Sequence, residues 1–214
     1  MSIVAPALTA ATVDEFRVAI ERLKGFATRV HIDLSDGQFA PSFLIPIGQV
    51  YWPANWQVDI HAMVTQPSLQ LAEYIKLRPY SIILHAEAGE DILPLLNQIK
   101  EAGIQAGVGL LKSTVPSIVA PLIQAADHVM IFSGDLGHYG GVASLMQLEK
   151  IRLIKNINPN VEIGWDGGVN ASNAYTLTQG GVDVLNVGGA LANAQDPAGM
   201  YDTLVKETQK RGII

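Results

Sequence analysis

The sequence predicts an α/β protein built as a single (β/α)8 barrel, a TIM barrel, spanning residues 1–214. Three observations carry this. Short β-branched or apolar runs alternate with longer segments of helical period, the pattern of parallel strands joined by crossover helices. Several of the runs are almost wholly apolar, as strands covered on both faces are. Eight such units fill 214 residues, the compact end of the size range of a closed eight-unit barrel. A doubly wound open sheet would need fewer strands, and no G-x-G-x-x-G follows the first one. No linker, low-complexity stretch or internal repeat divides the chain.

In chain order, the apolar run Ile3–Leu8 is the first strand and Val13–Lys24 the first helical pattern. Arg29–Asp33 is the second strand, and the stretch rich in proline and aromatics after it reads as a long loop with a short helix. Gln57–His61 and Ser81–His85 are strands on either side of the helical pattern Ser68–Leu77. Helical periodicity over Asp91–Ala102 leads into strand Gln105–Leu110, and over Val115–Gln124 into strand His128–Phe132. Helix Ala143–Ile157, strand Glu162–Trp165, helix Ala171–Thr178, strand Val184–Val187 and helix Pro197–Arg211 complete the alternation.

Composition excludes several classes. At 49% hydrophobic and 16% charged residues the chain can pack a large interior and is not a disordered segment. A net charge of −6 with no basic stripe argues against nucleic acid as a partner. The stretch nearest to a membrane span, Ser113 to Ala126, is broken by Pro116 and Pro121, so no membrane partner is expected. The N-terminus lacks the basic and apolar regions of an export signal, and a cytoplasmic location is the expectation. Without cysteine, any metal must be held by His and carboxylate.

Barrel enzymes carry their chemistry at the C-terminal ends of the strands, so polar residues there are informative. The second strand ends in His31-Ile32-Asp33, the third in Asp59-Ile60-His61, the fourth leads into His85-Ala86-Glu87 and the seventh into Asp166-Gly167-Gly168. The i, i+2 spacing of His31 and Asp33 puts both on one strand face. One His or Asp at a strand end is most often a hydrogen-bonded structural residue. Several strands delivering such groups to one rim is a different matter, because each is costly to bury alone. Two histidines and two carboxylates can bind a divalent ion such as Zn, Fe(II), Mn or Co. His85 could stand behind the others as a supporting group.

Anion binding can also be read from the residues. Most basic side chains fall in helical patterns (Arg17, Arg22, Lys76, Lys100, Lys150, Arg152, Lys155, Lys206, Lys210), and only Lys112 lies near the C-terminal end of a strand. A phosphate would be held mainly by backbone N–H groups of glycine-rich turns: Gly140-Gly141, Gly167-Gly168 and Gly188-Gly189. One Gly-Gly pair is commonly just a tight turn. Three pairs on successive rim loops favour a binding role, and phosphate sites after the last strands are common in this fold.

Over most of its length the sequence resembles the ribulose-phosphate 3-epimerase family, whose members act on ketose phosphates. His31-Ile32-Asp33-Leu34-Ser35-Asp36-Gly37 with Phe39 and Pro41 resembles H-V-D-V-M-D-G-x-F-x-P. Asp59-Ile60-His61-Ala62-Met63-Val64 with Pro67 is similar to D-x-H-L-M-V and its trailing proline. His85-Ala86-Glu87 matches H-x-E, Asp166-Gly167-Gly168-Val169 matches D-G-G-V, and Gly181-Val182-Asp183 through Gly188-Gly189-Ala190 resembles G-A-D…A-G-S-A.

The resemblance implies a ribulose-phosphate-binding barrel and a metal-dependent 3-epimerase. It implies metal ligands His31, Asp33, His61 and Asp166, and an acid/base pair Asp33 and Asp166. Met63 would form part of an apolar cap over the reacting carbons. The implied partner is a small sugar phosphate, D-ribulose 5-phosphate and D-xylulose 5-phosphate first and a six-carbon ketose phosphate such as allulose 6-phosphate second; a sugar-phosphate lyase or isomerase, or a non-catalytic binding protein, on the same barrel is the alternative to an epimerase. A homo-oligomer is implied as well.

The departures from the family pattern fall on substrate-contact positions. Ala7 stands where the pattern has serine, Ser35 where it has methionine, and Leu111-Lys112-Ser113-Thr114 replaces N-P-x-T. The sixth loop, Gly134 to Val142, is about three residues longer than P-G-F-G-G-Q and introduces Asp135, His138 and Tyr139. None of them removes a ligand or acid/base carboxylate.

Overall fold

A computed structural model describes residues 1–139 and 141–210. Eight parallel strands close into a barrel in chain order: β1 (Ile3–Leu8), β2 (Arg29–Ser35), β3 (Gln57–Met63), β4 (Ser81–His85), β5 (Gln105–Leu110), β6 (His128–Phe132), β7 (Glu162–Asp166) and β8 (Val184–Val187). Closure is made by β1 on β8, with Ile3 opposite Val184 and Pro6 opposite Val187.

Outside the strands lie α1 (Val13–Leu23), α2 (Leu71–Lys76), α3 (Leu93–Glu101), α4 (Ala120–Ala125), α5 (Glu149–Ile157), α6 (Ala174–Gln179), α7 (Gly189–Ala192) and α8 (Pro197–Gln209). The Thr12 hydroxyl caps α1 by accepting from Glu15 N–H at 3.2 Å, while Glu15 reaches back to Ala11 N–H at 2.8 Å, a reciprocal cap. Asp196 caps α8, and Pro197 occupies the first turn, where a missing N–H costs nothing.

Three expected helices are shorter and begin as 3-10 turns. Pro67–Leu69, Pro116–Val119 and Leu145–Leu148 precede α2, α4 and α5. In the first two, proline sets the opening turn and delays the α-helical bonds. A further 3-10 turn, Ile47–Gln49, is the short helix in the loop after β2. The α7 turn directly after β8 was not expected. Arg211, placed in the last helix by the sequence pattern, lies outside the described residues. Among the described residues no helix is long and apolar enough to cross a membrane.

The main apolar core lies between strands and helices. Val30, Ile32 and Leu34 of β2 alternate outward into it with Val58, Ile60 and Ala62 of β3. The inward residues form a different population. Ile83, Met130 and Phe132 make a small apolar cluster inside the barrel. Glycines keep this space open: a Cβ at Gly107 would lie 2.6 Å from Ile83 Cγ1, and one at Gly164 2.4 Å from His128 Nε2.

At the N-terminal end, Arg29 seals the interior. Its guanidinium donates to Asp59 at 2.7 and 3.3 Å and to Glu162 at 2.8 and 2.7 Å, and His128 Nδ1 meets Glu162 at 2.7 Å. This corrects one expectation. Asp59 is not at the mouth with His61 but one inward step lower, because β3 runs on to Met63.

Candidate active site

His31 and Asp33 project inward from consecutive inward positions of β2, His61 from β3, and Asp166 from the last residue of β7. All four are buried, and one ligand atom from each lies within 4.8 Å of the others. His61 Nδ1 is 2.8 Å from Asp33 Oδ1 and 3.7 Å from Asp166 Oδ2. His31 Nε2 is 3.3 Å from Asp33 Oδ1 and 3.8 Å from Asp166 Oδ2. Both ring nitrogens of His31 are buried without a hydrogen-bond partner. An unpaired buried ring is costly, and a cation held with Asp33 and Asp166 would supply the missing partner. The two-imidazole, two-carboxylate set therefore fits a divalent transition metal.

The two carboxylates are driven apart electrically. Burial acts to raise Asp33, but the His31 and His61 rings against it hold it well below the usual carboxylate range. Burial pushes Asp166 well above that range, and the nearby Asp33 charge adds to this against the pull of His31. Burial also lowers His61 to about 3, outweighing Asp33, with His85 and His31 adding to the fall. Without a metal ion, one carboxylate thus favours its ionised form and the other its protonated form.

A cavity of about 430 Å³ opens above this cluster. Asp33, Asp166, Met63, Gly141, Gly167, Gly168, Gly188 and Gly189 all line it. Gly140, expected beside them, lies outside the described residues. Among the described residues lining it there is no lysine or arginine. Gly167 and Gly168 have φ of 102° and 72°, and a Cβ on either would fall 2.0 and 2.2 Å from backbone nitrogens of Gly134 and Ala143. The loops after β6 and β7 therefore interlock backbone to backbone, a contact that only glycine permits.

Three further groups stand at the site; Thr9 and Asn186 were not legible as site residues, whereas Tyr139 belongs to the sixth loop that the sequence marks as altered. Thr9, just past β1, donates from its hydroxyl to Asp33 Oδ2 at 2.5 Å. Tyr139 lies over Gly188 and accepts from Thr9 N–H at 2.7 Å. Asn186, inward on β8 opposite Asp166, is buried with its Oδ1 unpartnered and faces the cavity. Its spacing of two from Val184 was the available signal. Lys150 also departs from expectation: it is buried, and its ammonium donates to the carbonyls of Leu111 and Lys112 at 2.6 and 3.1 Å.

Comparison with known proteins agrees with this architecture. The ribulose-phosphate 3 epimerase family matches residues 3–192. The chain is 31% identical over 201 residues to a ribulose-phosphate 3-epimerase of Helicobacter pylori, covering 90% of this chain and 92% of that one. It is 32% identical over 183 residues to the chloroplastic ribulose-5-phosphate-3-epimerase of Arabidopsis thaliana, covering 79% of this chain but 63% of the longer plant protein. Among solved structures, 3-keto-L-gulonate-6-phosphate decarboxylase from Vibrio cholerae superposes with a TM-score of 0.74 at 12% identity, covering 97% of each chain. The 3-hexulose-6-phosphate synthase of Salmonella typhimurium gives 0.71 at 18%, covering 97% of this chain and 98% of that one. These two share the fold. The extent of the family match and the similarity to named epimerases show that the chain belongs to the ribulose-phosphate 3-epimerase family, isomerases acting on carbohydrate phosphates.

Proposed function

We propose that the protein is a metal-dependent ketose-phosphate 3-epimerase that interconverts D-ribulose 5-phosphate and D-xylulose 5-phosphate. The observation that carries the reading is the pair Asp33 and Asp166: two buried carboxylates, on β2 and β7, gathered with His31 and His61 so that one ligand atom from each lies within 4.8 Å of the others.

Inversion next to a ketone takes a proton from one face of C3 and returns one to the other. Asp33, ionised and held by the Thr9 hydroxyl, is suited to be the base in one direction. Asp166, which favours its protonated form, is suited to deliver the proton to the opposite face of the planar enediolate. In the reverse direction the two exchange roles, so their titration belongs to the pair. A divalent cation bound by His31, Asp33, His61 and Asp166 would supply Lewis-acid stabilisation of the charge that develops on the substrate oxygens. Met63 and Phe132 line the cavity beside these carboxylates.

The phosphate end is read as the loops carrying Gly141, Gly167, Gly168, Gly188 and Gly189. Backbone N–H groups can bind a dianion there without a side-chain cation. A six-carbon ketose phosphate is the second reading, favoured by the longer loop bearing Asp135, His138 and Tyr139, all of which line the cavity. A homo-oligomer is supported by the exposed apolar side chains Phe43, Leu69, Ile118 and Met146.

The test is a panel of ketose phosphates in D₂O with Zn, Fe(II), Mn or Co, read by NMR. The reading requires deuterium at C3 together with the C3 epimer, and greatest turnover with the five-carbon substrates. A moved carbonyl or a changed carbon count would refute it.

A further inference from the structure

Behind His61 stands a chain of side chains that the proton transfer does not use. His85, the last residue of β4, has its Nε2 2.8 Å from Nε2 of His61. Its Nδ1 is 3.3 Å from Glu87 Oε2. The other Glu87 oxygen accepts from Leu111 N–H at 2.9 Å and from the Thr114 hydroxyl. The Lys150 ammonium grips the carbonyls of Leu111 and Lys112 and so holds the turn that carries those donors. The His85 ring is packed against Phe39, with centroids 4.7 Å apart, and against Gly109, where a Cβ would come within 3.1 Å.

Each link has a direction. A carboxylate accepts only, so His85 carries its proton on Nδ1 and turns a lone pair on Nε2 toward His61. His61 must then donate from Nε2, which leaves a lone pair on its own Nδ1. That nitrogen faces Asp33 Oδ1 at 2.8 Å, acceptor against acceptor. Such a pair repels unless a cation lies against both. This is the tautomer that a cation ligand requires. In the opposite tautomer, Nδ1–H donates to Asp33 and closes the coordination position.

We propose that Glu87 is a positioning residue which, acting through His85, fixes His61 with its Nδ1 lone pair aimed at the metal position. The proposal rests on the metal-site reading above. It distinguishes Glu87 from a carboxylate that merely braces the turn after β5, since bracing alone would affect stability and leave metal affinity unchanged.

The experiment compares the full-length protein with Glu87→Gln. A glutamine cannot accept on both sides: its amide nitrogen must face the donors of either His85 or Leu111. Metal-free protein is titrated with Co²⁺ against a chelator and followed by visible absorption. The zinc-loaded forms are examined by nitrogen–proton correlation NMR of the histidine rings. The expected result is an affinity loss of about 10–100-fold in E87Q, with His61 of the wild type protonated at Nε2 and not at Nδ1. Undiminished Co²⁺ affinity in E87Q overturns the proposal and leaves the metal reading standing. Wild-type protein that binds neither Co²⁺ nor Zn²⁺ overturns both. The wild-type ring spectrum decides the matter even if E87Q does not fold: a zinc-loaded His61 protonated at Nδ1 refutes the proposal.

Discussion

The substitution Arg29→Met removes the guanidinium that binds Asp59 and Glu162 at the floor of the barrel. Asp59 is 1% exposed and would be left without its counter-charge. Breaking one side of a buried pair in this way costs about 3–5 kcal/mol. For a chain of this size that corresponds to a fall in Tm of roughly 6–20 °C. The pH dependence has a definite sign. In the intact protein burial acts to raise the Glu162 pKa, but Arg29 and His128 bring it down from 4.5 to about 2. Its stabilising contribution is fully present above the unfolded value near 4.5 and is lost as pH falls through about 2. Without Arg29 most of that depression disappears, so the stability gap between the two proteins is widest above pH 4.5 and narrows in acid. Catalysis should be spared. Four residue steps, about 13 Å of strand, separate Glu162 from Asp166 along β7. Urea unfolding at several pH values measures the gap, and deuterium incorporation at C3 measures turnover. A gap below about 1 kcal/mol at pH 7, a gap that does not change with pH, or lost turnover at wild-type stability would each refute the argument.

Other perturbations address the mouth. Asp166→Asn is expected to lower kcat by about 10²–10⁴-fold, because a positioned proton carrier is lost, and circular dichroism should show the fold retained. In metal-free protein burial raises the Asp166 pKa from 3.8 to about 7, so the contribution of its protonated form is fully present below the unfolded value near 3.8 and is lost as pH rises through about 7; thermal melts should show D166N less sensitive than the wild type to pH across that interval. Gly188→Ala puts a Cβ 2.7 Å from the Tyr139 ring. It should displace that ring, free Thr9 N–H, and cost ~1 kcal/mol in urea unfolding, with a larger effect on KM than on kcat.

The strand-end chemistry was readable because a strand has a period of two. His31 with Asp33, and the D-G-G turn at Asp166, declare both their face and their end of the barrel. The same rule misplaced Asp59, since which rung forms the mouth depends on where β3 stops, and it stops at Met63. Thr9 lies past the end of β1, where no periodicity applies; its role depends on how the loop folds back onto Asp33. Lys150 looks like any lysine of an amphipathic helix, and only the packing of α5 against the turn after β5 carries its ammonium inward. The proline-initiated 3-10 turns blurred helix starts without disturbing the alternation on which the architecture rests.

Closure of the sheet by β1 on β8 bears on the birth of the protein as well as its shape. Asp33 leaves the ribosome long before Asp166, and β8 comes later still. Early in synthesis His31, Asp33 and His61 are present, but Asp166 and the closing strand are not. Pairings between opposite ends of a chain form slowly, after a large loss of chain freedom. A metal that needs all four side chains would be captured only once the ring of strands is nearly complete. Metal uptake would then serve as a clock for barrel closure, and a chain stalled before β7 would hold three ligands with nothing to complete them.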